Sequence, residues 1–217
     1  MKMAMFPLGN VVLPGEMMPL RVFEPRYRRL VLDCLAGDGA PEFAIVLIER
    51  GSEVGGGDER TSIGTVVSLR NVAPLGAGRF NIVAAAVRRV SVLEWLPDDP
   101  YPIADVEDWP DKGPGDDDLG QIAAQLATLA ERVPVIRGLA AQVNPRAGLK
   151  VAPRLQLSTD VVAAGYQLAT AVPLGAADRF QVLQAPTVAS RVATLAGVFD
   201  DLEAALRFRL GGPPTAE

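Results

Sequence analysis

The groups able to do chemistry in this chain are carboxylates and arginines, and their usual catalytic partners are missing. The 217-residue sequence holds no histidine and a single cysteine, Cys34. The first absence removes the commonest general base, and the two together exclude a Cys/His metal cluster. The lysines are Lys2, Lys112 and Lys150, and none has the sequence setting of a catalytic amine. No G-x-x-x-x-G-K-[ST] run is present, so no phosphate loop for ATP is recognisable. Gly55-Gly56-Gly57 lies between two strand patterns and is followed by Asp58 and Glu59, which suits a connector better than a phosphate cradle. Asp116, Asp117 and Asp118 are consecutive, so their side chains diverge at a helix start; they read as helix-end charges and not as a cation site. The expectation is a protein without metal or cofactor that hydrolyses neither peptide nor nucleotide.

Binding is what remains. Met17, Met18, Leu20, Phe23 and Tyr27 are adaptable apolar or aromatic groups, with Arg26, Arg29 and Arg79 at their edge. Methionine and aromatic side chains suit loosely specific recognition of exposed hydrophobic peptide. Apolar residues beside a helix stripe are also ordinary core, and the sequence leaves both readings open for this set, as it does for Trp95 and Trp109. Glu24 and Arg26 read as a clamp on a strand–helix corner or as charges presented to a ligand.

The elements that must position these residues are legible around them. Residues 6–35 run from an apolar strand through a Pro/Gly turn to a second strand at 17–22, then to a helix opened by Pro25. Tyr27, Leu30, Val31, Cys34 and Leu35 form one apolar stripe on that helix, and Gly37 reads as its stop. Cys34, on the stripe, reads as a buried thiol. Glu42–Glu49 is a dense β-branched run suited to a strand buried on both faces. Residues 63–75 and 79–86, joined by Gly76-Ala77-Gly78, read as a hairpin, with further strands at 88–96 and 103–109. Six or seven short strands and one helix suggest a small, partly closed barrel over residues 1–110.

After the linker Pro110–Gly115 the pattern becomes helical, over about 116–212. Leu119–Arg132 is helical up to a break or kink at Pro134, with a second piece at 135–143. Ser158 is the expected N-cap of a helix reaching Val172, and a short helix fits 176–184. Pro186-Thr187 opens what reads as the longest helix, to about Leu210. On it Val188, Val192, Leu195, Phe199, Leu202 and Leu206 make a seam for neighbouring helices in the same chain; a dimeric coiled coil is the alternative.

Composition limits the partners. Nearly half of the residues are apolar and the formal net charge is −5. Ten acids face one base between Glu94 and Asp118, an excess that repels phosphate backbones, so no nucleic acid is expected. No apolar run reaches the roughly 18 residues of a membrane helix, and Pro7, Asn10, Pro14 and Glu16 interrupt any leader-like stretch. One cysteine permits no intrachain disulfide, and the cytoplasm is the default location.

Several ordered segments resemble a known family. FPL, VVLPG and PLRVFEPRY, within residues 6–27, are similar to the opening of the Lon-protease amino-terminal (substrate-binding) domain. Ile63-Gly64-Thr65-Val66-Val67 resembles its IGTV strand, and Gly78-Arg79-Phe80 its aspartate-glycine-arginine hairpin, with Ala77 in the aspartate's place. Arg88-Arg89-Val90 and Pro100–Val106 resemble its later strands, while the helical half is similar mainly at 172–174, 178–181 and Arg191. The resemblance implies an α+β protein: an N-terminal PUA-like β pseudo-barrel with one packed helix, then a C-terminal α-helical bundle. It implies a stand-alone substrate-recognition part without ATPase or Ser–Lys peptidase domains, binding unfolded or tagged polypeptides, as an adaptor to a protease or chaperone in bacterial-type protein quality control. A PUA-like RNA-binding protein and a small-molecule-binding protein are the alternatives; the net charge disfavours the first, and the missing histidine most hydrolytic versions of the second.

Overall fold

The computed structural model describes residues 1–51, 53, 57–112, 119–147 and 155–211. The chain divides into two compact units, Met1–Pro110 and the residues from Asp111 onward. The expected roles of Gly55-Gly56, of Asp116–Asp118 and of Lys150 lie outside the described residues.

The first unit is one six-stranded sheet with one helix: β1 (Lys2–Leu8), β2 (Met17–Val22), α1 (Pro25–Ala36), β3 (Glu42–Arg50), β4 (Glu59–Pro74), β5 (Phe80–Leu96) and β6 (Ile103–Asp108). The strand order is β2-β5-β4-β3-β1-β6, and β6 also pairs with the far end of β5. Five strands therefore close into a ring and β2 hangs from β5 as an edge. β1 and β3 are parallel, with Phe6 opposite Ile45, and the other pairings are antiparallel.

β3 feeds two cores, as its β-branched run suggests. Phe43 and Ile45 join Phe6, Leu20, Val22, Tyr27 and Leu30 under α1, while Ala44 and Val46 join Met5, Val66, Val90 and Val106. Gly64, opposite Val46, is needed at this crossing: a Cβ there would lie 2.6 Å from the Ile45 carbonyl oxygen. The turn at 76–78 holds three successive positive φ angles, including Ala77 at 51°. Its Gly78 leaves the space that the Arg28 guanidinium of α1 occupies.

Two expectations for this unit need correction. Residues 79–86 and 88–96 are one strand: Val66 pairs with Arg88 and Val67 with Ala86, so Val87 is the extra residue of a bulge, not the end of a strand. The stripe of α1 is also shorter than its periodicity implies. Tyr27, Leu30 and Val31 are buried, Cys34 is half-buried and Leu35 is exposed, because α1 ends one residue beyond it.

The second unit contains α2 (Leu119–Val143), α3 (Val161–Ala171), α4 (Ala176–Leu183) and α5 (Val188–Arg209), with a 3₁₀ turn at Pro145–Ala147. Helix α2 packs on α5 and α3, and α5 packs on α3 and α4. The seam on α5 faces these neighbours: all its members are buried except Leu202, which is half-buried. Pro134 lies inside a continuous α2. Burial of Val133 on one side of it and Ile136 and Ala140 on the other anchors both halves, which offsets a proline cost of about 3 kcal/mol. Helix α2, with 25 residues, exceeds the 22 of α5, contrary to expectation. The cap of α3 is Asp160, whose carboxylate accepts from the Val162 N–H; Ser158 instead accepts from the Asp160 N–H. Thr187 caps α5 through a reciprocal capping box with Ser190.

Candidate functional site

The candidate site is built where β1 ends, β2 runs along the open edge and α1 begins. A cavity of about 190 Å³ lies among Phe6, Pro7 and Leu8 of β1, Pro19 to Val22 of β2, and Phe23, Glu24, Tyr27 and Glu53. This is below the roughly 300–1,000 Å³ of a drug-sized ligand pocket, so it suits one or two side chains better than a cofactor.

The floor is aromatic and rigid. The Phe6 and Tyr27 rings stack with centroids 4.1 Å apart, and Phe6 also meets Phe43 at 5.7 Å. Tyr27 is 3% exposed and its hydroxyl has no hydrogen-bond partner among the described residues. Burial pushes its pKa up to about 12, so the phenol stays a proton donor across the physiological range. Phe23, just past β2, is 53% exposed and supplies an apolar lip.

Charges around the cavity are mostly committed. The Arg26 guanidinium lies over the Tyr27 ring at 4.4 Å, donates to the Glu24 carboxylate at 3.1 Å and reaches the Glu53 carbonyl at 3.1 Å. The Glu53 carboxylate accepts from the Gly9 N–H at 2.6 Å. Glu24 and Arg26 thus clamp the strand–helix corner. Arg21, exposed on β2, lines the cavity without a hydrogen-bond or ion-pair partner among the described residues.

Of the residues singled out from the sequence, Leu20, Phe23 and Tyr27 line this cavity and Arg26 braces it. Met17 is exposed and Met18 half-buried on β2, outside the lining. Arg29 pairs with Asp33 along α1, and Arg79 is exposed beside the 76–78 turn, its Nε 3.4 Å from the Gly76 carbonyl. The lining residues not foreseen include Pro19, Arg21 and Val22 of β2 itself, Phe6, Pro7 and Leu8, brought in by the parallel β1–β3 pairing, and Glu53, brought in by its bond to Gly9. No local pattern signals either contact. Trp95 and Trp109 are half-buried, each beneath an arginine: Arg60 at 4.9 Å and Arg89 at 4.2 Å.

A larger groove, about 540 Å³, runs between α2 and α5. Small aliphatic residues and amides line it, and its charged group, Arg132, is already held by Asp200 and Glu203. It lacks the convergent polar groups and free strand edge of the first cavity. Among the described residues no group of three His, Cys, Asp or Glu side chains has metal-binding geometry. No helix among them is long and apolar enough to cross a membrane.

A strand-closed α+β unit with a small aromatic cleft at an open sheet edge is followed by packed helices. The chain matches the family model of the ATP-dependent protease La (LON) substrate-binding domain over residues 2–197, and it belongs to that family. In fold it is similar to a Lon N-terminal domain protein from Xanthomonas campestris, with a TM-score of 0.63 and 24% identity over 91% of this chain and 98% of that one. It is equally similar to the N-terminal domain of Mycobacterium avium complex Lon protease, with a TM-score of 0.63 and 19% identity over 93% and 99% of the two chains. No curated protein matches the chain.

Proposed function

We propose that this protein is a non-catalytic polypeptide-binding module that holds unfolded or tagged chains through the cleft bordered by β2 and α1. The observation that carries the reading is the pairing of an exposed apolar lip, Phe23, with a buried aromatic floor, Phe6 and Tyr27, in a member of a substrate-binding family. Met17, also exposed, extends the apolar surface along β2, Arg26 braces the cleft, and in this reading Arg29 and Arg79 supply charge farther out. In this reading residues 1–110 form a PUA-like recognition domain and residues 116–212 a helical domain, and the protein works in the cytoplasm as an adaptor to a protease or chaperone.

Binding of denatured model proteins, with a peptide array alongside, tests the proposal. Micromolar capture is expected, weakened about tenfold by Phe23→Ala, a change at an exposed anchor that removes contact area without opening the core. Silence across a broad array would overturn it.

A further inference from the structure

We infer that this cleft takes its ligand as an added β-strand, paired with the free edge of β2, and selects segments in which apolar and acidic residues alternate. The inference rests on the polypeptide-binding reading and specifies its geometry. Strand β2 pairs on one side with β5 and is the terminal strand of the sheet order. The Ala86 N–H donates to the Glu16 carbonyl, and Met18, Leu20 and Val22 continue that alternation opposite Ala84, Ile82 and Phe80. The main-chain groups of Met17, Pro19 and Arg21 therefore face away from β5, toward the open edge. Across the cleft, the β6 register on β1 stops at Ala4, followed by one bond from the Met5 N–H to the Pro102 carbonyl, so Phe6 to Leu8 run beyond β6.

Two features argue for an extended peptide as occupant. Proline stands on each bordering edge, Pro7 and Pro19, neither with an N–H to offer. Such edges resist pairing with long strands while leaving the donors of Met17 and Arg21 and the carbonyls of all three outward residues for a short one. Tyr27, a residue of the same lining, has a buried hydroxyl without a hydrogen-bond partner among the described residues, a donor suited to a ligand carbonyl.

Charge and alternation set the pattern. Leu20 and Val22 turn to the buried side, whereas Arg21 is exposed on the other. Arg21 lines the cleft without a hydrogen-bond or ion-pair partner among the described residues, whereas Arg26, which braces the cleft, is held by Glu24. A strand laid beside β2 would put an apolar side chain against Leu20, Val22 and Tyr27. Its sequence neighbour would lie on the same side as Arg21, where a carboxylate is complementary.

Fluorescence anisotropy with the intact protein tests this. The probes are peptides of about seven residues, strand length, alternating leucine with glutamate or with lysine. The glutamate peptide is expected to bind more tightly, and Arg21→Glu to reverse the order, each by about fivefold. N-methylation of all leucine amides, or of all glutamate amides, blocks one lateral edge of the peptide at a time. One of the two is expected to weaken binding about tenfold and the other little, because one edge meets β2. Equal effects, or none, would overturn strand addition, and an unchanged order in Arg21→Glu would overturn the charge rule. If denatured proteins bind in a Phe23-dependent way while N-methylation is without consequence, the strand geometry falls and the polypeptide-binding reading stands. If neither peptides nor denatured proteins bind, both fall.

Discussion

Arg60 in the β unit and Arg191 in the helical unit are each gripped by carboxylate and aromatic ring, yet their surroundings differ. Arg60 sits between Asp58 and Asp98, over the Trp95 ring, with its side chain 10% exposed. Arg191 is fully buried; it pairs with Asp111, lies 4.0 Å over the Tyr166 ring and directs Nε to the Val182 carbonyl at 3.5 Å, while Nη1 has no hydrogen-bond partner among the described residues. One guanidinium has two carboxylates at hand, Asp58 with its side chain 1% exposed and Asp98 at 39%. The other has, among the described residues, one carboxylate, delivered by the segment that opens its unit. That segment is held beside the start of α5 by a bridge between Lys112 and Thr187. An exposed partner such as Asp98 contributes little net stability, whereas the lone partner of a buried charge is costly to remove, because an unpaired buried charge has nowhere to go.

The comparison breaks most sharply at Asp111. Asp111→Ala leaves Arg191 charged and buried without its carboxylate, and a loss of about 3–5 kcal/mol is expected in urea denaturation followed by circular dichroism. The double variant Asp111→Asn with Arg191→Met removes both charges and is expected to regain much of that loss. A single variant within about 1 kcal/mol of wild type would show that the interior clamp behaves like a surface pair.

Gly165 sharpens the same contrast from the packing side. A Cβ there would stand 3.2 Å from Arg191 Cδ, and that side chain is held by two nitrogens of its guanidinium. Gly165→Ala normally favours a helix, by about 1 kcal/mol. Here crowding of the clamped arginine is expected to reverse the sign, giving a net loss of about 1 kcal/mol in the same denaturation experiment. A stabilised variant would mean that Arg191 can move aside.

What could be read from sequence follows the range of each interaction. The strand at 42–50, the corner at Pro25 and the α5 seam were legible because periodicity and capping are local signals. The continuity of β5 was not, because a bulge at Val87 resembles a strand end until its partner Val66-Val67 is known. Pro134 misled for a related reason: burial of Ile136 and Ala140 against other helices decides whether a proline ends α2. In the site, Leu20, Phe23 and Tyr27 were accessible from composition and spacing. Pro7 and Glu53 were not, since a parallel pairing and a bond spanning 44 residues placed them there. The Arg191 clamp was equally hidden, its two charges lying 80 positions apart.

The two carboxylates around Arg60 supply the smaller tests. Burial works against the charge on Asp58, but hydrogen bonding and attraction from Arg60 outweigh it and hold the carboxyl below its usual 3.8. A carboxylate depressed in the fold adds stability that is complete above pH 3.8 and lost as pH falls through the lower folded value. Denaturation midpoints in Asp58→Asn are therefore expected to depend less on pH below 4 than those of wild type. An unchanged acid limb would remove Asp58 from the linkage. Asp98 is the least consequential partner: its side chain is 39% exposed and Arg60 retains Asp58 without it. Asp98→Asn is expected to cost less than about 1 kcal/mol at neutral pH, and less again in high salt, where exposed pairs are screened. A loss approaching that of Asp111→Ala would mean that Asp58 alone does not satisfy Arg60, and the contrast between the two arginines would collapse.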